Sequence, residues 1–199
     1  MNLWLWSSLA VSQPRLDYKT EIEDRVLTEV GNFLREGKED QAEEYLHDFE
    51  RELFASARLH YELALQYNTQ NQIDKALIHY DMALVIDPHL QSALYDRAEI
   101  LLLQGKVDKA QHDLDILVKD GIEHWVVYFR LAEIYAEKGN GPLFEENLLQ
   151  AIRYGFSLPL LLESGEKWKR YVEDPALREY LHRIIQLYGD ETIWDSLQH

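Results

Sequence analysis

Two stretches of the chain, 34 residues apart, carry the same pattern and constrain the fold more than any other feature. Residues 74–88 read DKALIHYDMALVIDP, and residues 108–122 read DKAQHDLDILVKDGI. In both, apolar residues follow Asp-Lys-Ala at spacings of three and four, which is the period of an amphipathic helix. A fixed period of this length predicts a series of similar helical units.

The period divides the chain into four blocks, 23–56, 57–90, 91–124 and 125–158. The fifteenth position of each block holds a residue that adopts positive φ easily and so ends a helix: Gly37, Asn71, Gly105 and Gly139. Three positions later stand residues that favour the start of a helix, as an N-cap or in its first turn: Asp40, Asp74, Asp108 and Pro142. Each block is therefore predicted to be a helix, a tight turn and a second helix.

The apolar positions keep the same register in all four blocks. The eighth position is small or medium-sized, at Val30, Ala64, Ala98 and Ala132, and the twentieth holds Ala42, Ala76, Ala110 and Phe144. The second helices are predicted to stop at Pro88, Gly121 and Gly155. One apolar stripe per helix predicts that each unit packs on its neighbours.

This pattern resembles the tetratricopeptide repeat (TPR) family. Block 57–90 matches the family signature best, with Leu63, Ala64, Tyr67, Ala76, Tyr80, Ala83 and Pro88. The resemblance implies an all-α fold, an α-solenoid of helix-turn-helix repeats. Two residues depart from the family pattern: Phe144 replaces a small residue, and Arg97 replaces a Leu. We expect Arg97 to form a structural ion pair, with Asp113 or Glu133 as the candidate partner.

The flanks of the repeats are predicted to differ from the repeats themselves. Residues 159–199 form C-terminal capping helices in this interpretation, with Asp174 and Pro175 starting a helix that Gly189 ends. Residues 1–22 are an N-terminal apolar segment and linker. The start, MNLWLWSSLAVSQ, fits a truncated signal peptide, an arm on the first helix, or a surface anchor, and its apolar run of about nine residues is too short to span a bilayer. The first interpretation favours export to a bacterial periplasm, with the cytoplasm as the alternative.

Composition narrows the class of partner. The chain has 20 Lys and Arg against 36 Asp and Glu, a net charge of −16. This charge argues against nucleic acid and anionic membranes as partners, because both would be repelled. A basic partner fits the charge, and acidity that serves only solubility is the alternative.

No pattern of catalytic residues stands out in the sequence. There is no cysteine, no pair of histidines four apart around a carboxylate, and no nucleophile elbow. His60, His79, His112 and His182 fall on different predicted helices without ligand spacing. We therefore expect a protein that is not an enzyme and has no cofactor or metal.

The resemblance to the TPR family implies a concave groove lined by the first helix of each pair. The fifth position reads Leu27, Tyr61, Tyr95 and Phe129, and the predicted partner-binding residues are Tyr61, Leu65, Tyr95, Glu99, Leu102, Phe129 and Glu133. The Lys and Asn with which well-known family members grip a chain-terminal carboxylate are replaced here by residues such as Tyr61 and Leu65. The groove is thus predicted to favour protein or peptide segments that are apolar and positively charged.

Two alternatives to this binding groove remain open. The aromatic side chains of Tyr61, Tyr95 and Phe129 can instead pack against neighbouring helices. The tail TIWDSLQH carries Ile193, Trp194 and Leu197 at helical spacing and can fill the groove of its own chain or of a second copy. In the latter case the chain is a structural assembly protein that forms homo-oligomers through its terminal apolar segments.

Overall fold

The computed structural model describes residues 14–163, 166–189 and 191–198, with the side chains of 14–17 and 166 excepted. These residues form twelve helices and no strand, so the predicted all-α class is confirmed. The helices are α1 Pro14–Arg35, α2 Glu39–Glu52, α3 Ala57–Thr69, α4 Ile73–Ile86, α5 Gln91–Leu103, α6 Val107–Lys119, α7 Trp125–Glu137, α8 Gly141–Arg153, α9 Leu160–Glu163, α10 Glu166–Glu173, α11 Pro175–Tyr188 and α12 Glu191–Gln198.

The turns inside the helix pairs follow the sequence pattern. Gly37, Asn71, Gly105 and Gly139 all have positive φ, between 61° and 71°. The residue after each of them donates its N–H to the carbonyl five residues back, as Gln72 N does to Tyr67 O at 2.8 Å. This Schellman bond satisfies a carbonyl that the helix leaves without a partner.

The predicted N-caps of the second helices are wrong by two residues in three pairs. The capping positions are Lys38, Gln72 and Lys106, none of which makes a side-chain capping hydrogen bond. The aspartates of the repeat therefore lie within the first helical turn, where a negative charge is stabilised by the helix dipole. In the fourth pair, the Asn140 side chain caps α8 by accepting a hydrogen bond from Leu143 N at 3.2 Å.

The chain divides into two compact units, residues 1–93 and 94–199, and each is described by itself. The first contains α1 to α4 and the start of α5. Its core holds small residues at the repeat positions together with two fully buried tyrosines: Val30, Ala42, Ala64, Ala76, Ala83, Tyr67 and Tyr80. Small side chains at helix crossings let the large rings fill the space between the helices.

The second unit contains the rest of α5 and α6 to α12. Arg97 on α5 donates two hydrogen bonds to Asp113 on α6, at 2.8 and 2.7 Å, which confirms the expected ion pair. Phe144, the large residue at a small-residue position, lies 6.1 Å from Trp168 and 6.3 Å from Tyr171 between ring centroids. Its extra volume therefore packs against α10.

The C-terminal helices complete the core of the second unit. Asp174 caps α11 through Ala176 N at 2.8 Å, and Gly189 follows its last residue, as the sequence predicts. Ile193, Trp194 and Leu197 of α12 are at most 6% exposed and belong to the core that also holds Leu181 and Ile185. The tail thus packs on the capping helices of its own chain.

The division into a 1–22 segment, four repeats over 23–158 and a 159–199 cap stays a prediction. The three interpretations of MNLWLWSSLAVSQ concern residues outside the described part of the chain. None of the described helices combines the length and hydropathy needed to cross a bilayer.

Candidate binding site

The predicted groove residues divide between the two units. Tyr61 and Leu65 on α3 belong to the first unit, and both are half-buried. The Tyr61 ring lies 6.1 Å from that of the buried Tyr80. The other predicted residues, Tyr95, Glu99, Leu102, Phe129 and Glu133, lie on α5 and α7 of the second unit, where they can be described together.

Phe129 is a core residue of the second unit. It is 7% exposed, and its ring centroid lies 4.5 Å from that of Phe156 and 5.4 Å from that of Trp168. The Phe129 ring thus packs against neighbouring helices, which is the first alternative to a binding role, and little of it remains accessible to a ligand. Tyr95 and Leu102 are half-buried and keep part of their surface in solvent.

Arg130 pairs with both of the predicted acidic groove residues. Its Nε and Nη2 donate to the two carboxylate oxygens of Glu99, each at 2.7 Å, and its Nη1 donates to Glu133 at 2.7 Å. Bidentate pairing of this kind fixes the orientation of both groups. Burial alone would lower the pKa of Arg130, but the hydrogen bonds and charges of the two carboxylates outweigh it and raise that pKa.

The network continues onto α10. Lys167 Nζ lies 3.3 Å from Glu133 and 3.9 Å from Glu137, and the Tyr171 hydroxyl donates to Glu137 at 2.9 Å. Burial and the bond to Glu137 raise the pKa of Tyr171, so its hydroxyl stays protonated and remains a donor. Glu137 is the most exposed of these carboxylates, with 45% of its side chain in solvent.

Burial and the adjacent Glu99 carboxylate also raise the pKa of Tyr95, to about 12, although Arg130 acts in the opposite direction. The Tyr95 hydroxyl is therefore protonated over the physiological range. It presents a neutral polar group beside the charged network.

A cavity of about 360 Å³ lies over this network. Its apolar lining is Leu102, Leu103, Val107 and Ile134, and its charged lining is Glu99, Arg130, Glu133, Glu137 and Lys167. Leu103 is 89% exposed at its edge. Three carboxylates against two cations leave the lining with a small negative charge. The arrangement suits apolar side chains with one positive group near Glu137.

Arg130 and Lys167 were missed by the sequence analysis, although the repeat period carried a signal for Lys167. Lys167 follows Glu133 by one repeat length, and Tyr171 follows Glu137 by 34 residues. Residues one period apart on first helices face each other when the helices stack. The stretch EKWKRY around Lys167 therefore continues the repeat spacing into the region assigned to the cap.

A second cluster of titratable groups lies in the first unit. His60 and His79, which the sequence placed on separate helices without ligand spacing, meet with their Nδ1 atoms 3.0 Å apart. The Nε2 atoms lie 3.0 Å from Glu50 and from Glu43, respectively. Because only one hydrogen fits between the two Nδ1 atoms, one ring donates and the other accepts.

Within the described ranges, no group of three or more His, Asp or Glu side chains has the arrangement of a metal site. The histidine pair is thus a buried hydrogen-bonded pair, with both residues at most 6% exposed.

The fold and this geometry can be compared with known proteins. No family model matches the chain. No curated protein matches it by sequence either. A TPR protein from Parabacteroides merdae has a similar structure, with a TM-score of 0.62 and 19% identity over 88% of this chain and 70% of that one.

Two further solved structures are similar. PilF of Pseudomonas aeruginosa has a TM-score of 0.56 and 21% identity, covering 86% of this chain and 78% of its own. YrrB, a TPR protein with an unusual peptide-binding site, has a TM-score of 0.55 and 15% identity, covering 76% of this chain and 72% of its own. Likeness at these identities shows the fold, so the chain has an all-α helical-repeat fold with the TPR architecture.

Proposed function

We propose that this chain is a non-catalytic scaffold that binds a protein or peptide segment on the α5–α7–α10 face of its second unit. The observation that carries the proposal is the cavity of about 360 Å³, in which the exposed Leu103 and the half-buried Leu102 and Val107 lie beside a fixed charge network. Arg130 and its carboxylates are held by several short hydrogen bonds, so the face is ordered before a ligand arrives.

The chemistry of the face favours a ligand that is apolar with a positive charge. Leu102, Leu103 and Val107 offer apolar contact area, and Glu137 offers a carboxylate that is half in solvent. Glu99 and Glu133 are already neutralised by Arg130 and Lys167, so they position the site and contribute little attraction. The net charge of −16 adds long-range steering of basic segments. The likeness to YrrB, a TPR protein with an unusual peptide-binding site, supports a peptide as the kind of ligand.

The test compares three proteins in capture from native lysate followed by quantitative mass spectrometry. The first is the unaltered chain, and the second carries Leu103→Ser with Glu137→Gln, which changes one apolar and one acidic contact of the face. The third carries the same substitutions elsewhere in the unit, Leu187→Ser with Glu179→Gln. All four residues are exposed, so equal helical circular dichroism is expected for the three proteins.

The proposal predicts a partner that the control retains and the site variant loses. A synthetic peptide from that partner should then bind the purified chain and the control, and bind the site variant at least about tenfold more weakly. If the same proteins bind to all three chains, the α5–α7–α10 face is not the binding site.

The alternative of a homo-oligomer built through the terminal segments is not favoured by the position of the tail. Ile193, Trp194 and Leu197 are buried within their own unit, so they offer no apolar surface to a second copy. The N-terminal part of that alternative concerns residues outside the described ranges.

A further inference from the structure

Helix α4 in the first unit has apolar residues on two faces. One face, with Ala76, Tyr80 and Ala83, is buried in the core. The other carries four large apolar residues in solvent: Ile78 at 52% exposure, Met82 at 44%, Val85 at 82% and Ile86 at 38%. Their spacing of three, four and seven residues places them side by side along the helix. We refer to these four residues as the α4 stripe.

The fold does not require an apolar surface at these positions, because each of the other second helices has at most one apolar or aromatic residue among the four corresponding positions. The residues that correspond to Ile78 are Glu44, His112 and Glu146, and those that correspond to Val85 are Arg51, Lys119 and Arg153. The residues that correspond to Met82 are Asp48, Ile116 and Gln150. Those that correspond to Ile86 are Glu52, Asp120 and Tyr154. The α4 stripe is thus a property of one repeat, and a contiguous exposed apolar patch marks an interaction surface.

The charges around the α4 stripe are mainly acidic. Asp74 and Asp81 are exposed along one side of it, and Asp87 is exposed at the end of the helix. Lys75 is the cation on this face of α4, and it forms an ion pair with Glu39 of α2. The surface thus combines an apolar centre with a negative edge.

The apolar centre and the negative edge together indicate which kind of partner the α4 stripe can bind. A symmetric contact between two copies would place the acidic edges of both stripes near each other in a chain of net charge −16, and an anionic lipid surface would be repelled in the same way. A segment with the opposite charge gains from both features. We propose that the α4 stripe is a second docking surface, which binds a basic amphipathic helix with its apolar face on Ile78, Met82, Val85 and Ile86.

The probe for this proposal is a synthetic helix-forming peptide with leucines along one face and lysines along both sides. Its binding to the purified full-length chain is measured by fluorescence anisotropy at low and at physiological salt. A peptide of the same composition, scrambled so that the leucines do not share a face, is the control ligand. We expect saturable one-to-one binding of the amphipathic peptide, with at least about tenfold weaker binding of the scrambled one.

The matched variant takes its residues from the other repeats. Ile78→Glu with Val85→Arg reproduces the pairs Glu44 with Arg51 and Glu146 with Arg153, and it leaves the net charge unchanged. Because these residue types occupy the same helical positions elsewhere in the chain, the variant should fold, which circular dichroism and the urea midpoint check. We expect at least about a tenfold loss of peptide affinity. Asp74→Asn with Asp81→Asn should weaken binding and reduce its salt dependence.

Equal binding of both peptides, or equal binding by the chain and its Ile78→Glu, Val85→Arg variant, would overturn the proposal. Sedimentation equilibrium provides the remaining outcome. A concentration-dependent mass that the variant abolishes would assign the α4 stripe to a second copy and would also overturn it. The α5–α7–α10 face is unaltered in these variants, so the result is independent of the function proposed for that face.

Discussion

Tyr95 and Phe129 occupy the same repeat position on neighbouring first helices, but they have different environments. Phe129 is 7% exposed among Phe156 and Trp168, whereas Tyr95 is half-buried. We predict that Phe129→Ala lowers the free energy of unfolding by about 3–5 kcal/mol, in the range for buried aromatic residues. Tyr95→Ala should cost clearly less.

Urea denaturation of the two variants beside the unaltered chain measures this difference. Equal losses of stability at Phe129 and Tyr95 would contradict the core assignment of Phe129. The sequence alone could not show that Phe129 is buried and Tyr95 is not. Phe156 and Trp168 lie 27 and 39 residues after Phe129 in the sequence, and they contact it only in the folded chain.

The histidine pair predicts a dependence of stability on pH. Burial is the main cause that lowers the pKa of His60, and the adjacent His79 acts in the same direction, while Glu50 and Glu43 oppose it. The folded state therefore binds a proton on His60 less readily than the unfolded state, which binds one as the pH falls through about 6.5. The free energy of unfolding should decrease below that pH, by at most about 1.4 kcal/mol per pH unit from this group.

Urea denaturation from about pH 8 to about pH 5.5 measures this slope. We expect His60→Gln to flatten it, since Gln does not titrate. His47→Gln, at a side chain that is 74% exposed, should leave it unchanged. A stability that is constant over this interval in the unaltered chain would contradict the assignment.

At the scale of helices, the turn KGNGPLF at residues 138–144 has a second glycine, Gly141, for which the packing gives a reason. Gly141 is the first residue of α8, and α11 approaches it closely. A Cβ at this position would lie 2.7 Å from Tyr180 Cδ2 and 2.8 Å from the carbonyl oxygen of Ala176. Because a backbone carbonyl cannot move aside as a side chain can, we predict that Gly141→Ala destabilises the protein by about 1–3 kcal/mol.

The control for this prediction lies two residues earlier in the same turn. Gly139 has a φ of 64°, and Asn71 adopts 61° at the same repeat position, so Gly139→Asn should cost less than about 1 kcal/mol. Thermal unfolding followed by circular dichroism compares the two variants. A Gly141→Ala protein as stable as the Gly139→Asn protein would show that α8 and α11 do not need this close contact.

At the scale of the whole molecule, the two interpretations of the tail predict opposite results for removal of residues 190–199. Ile193, Trp194 and Leu197 are buried in the second unit, and their loss should cost roughly 5–9 kcal/mol as an upper estimate, at about 1.5–3 kcal/mol for each side chain. We therefore expect a large decrease in the urea midpoint. Sedimentation equilibrium should give the same association state before and after truncation.

Unchanged stability together with a lower mass would instead support the assembly interpretation. The sequence identified Ile193, Trp194 and Leu197 as an apolar helical face. It could not say which surface that face covers, because helical periodicity describes one helix and not its partner.

The all-α class, the turns at Gly37, Asn71, Gly105 and Gly139, and the burial of the eighth and twentieth positions of each repeat could be read from the amino-acid sequence. These features depend on φ preferences and on apolar spacing within about 34 residues, which are local properties of the chain. The folded structure was needed to show that Phe129 is buried by Trp168, that Arg130 neutralises Glu99, and that His60 meets His79. Burial and charge pairing depend on which helices lie beside each other, and these contacts join residues that are far apart in sequence.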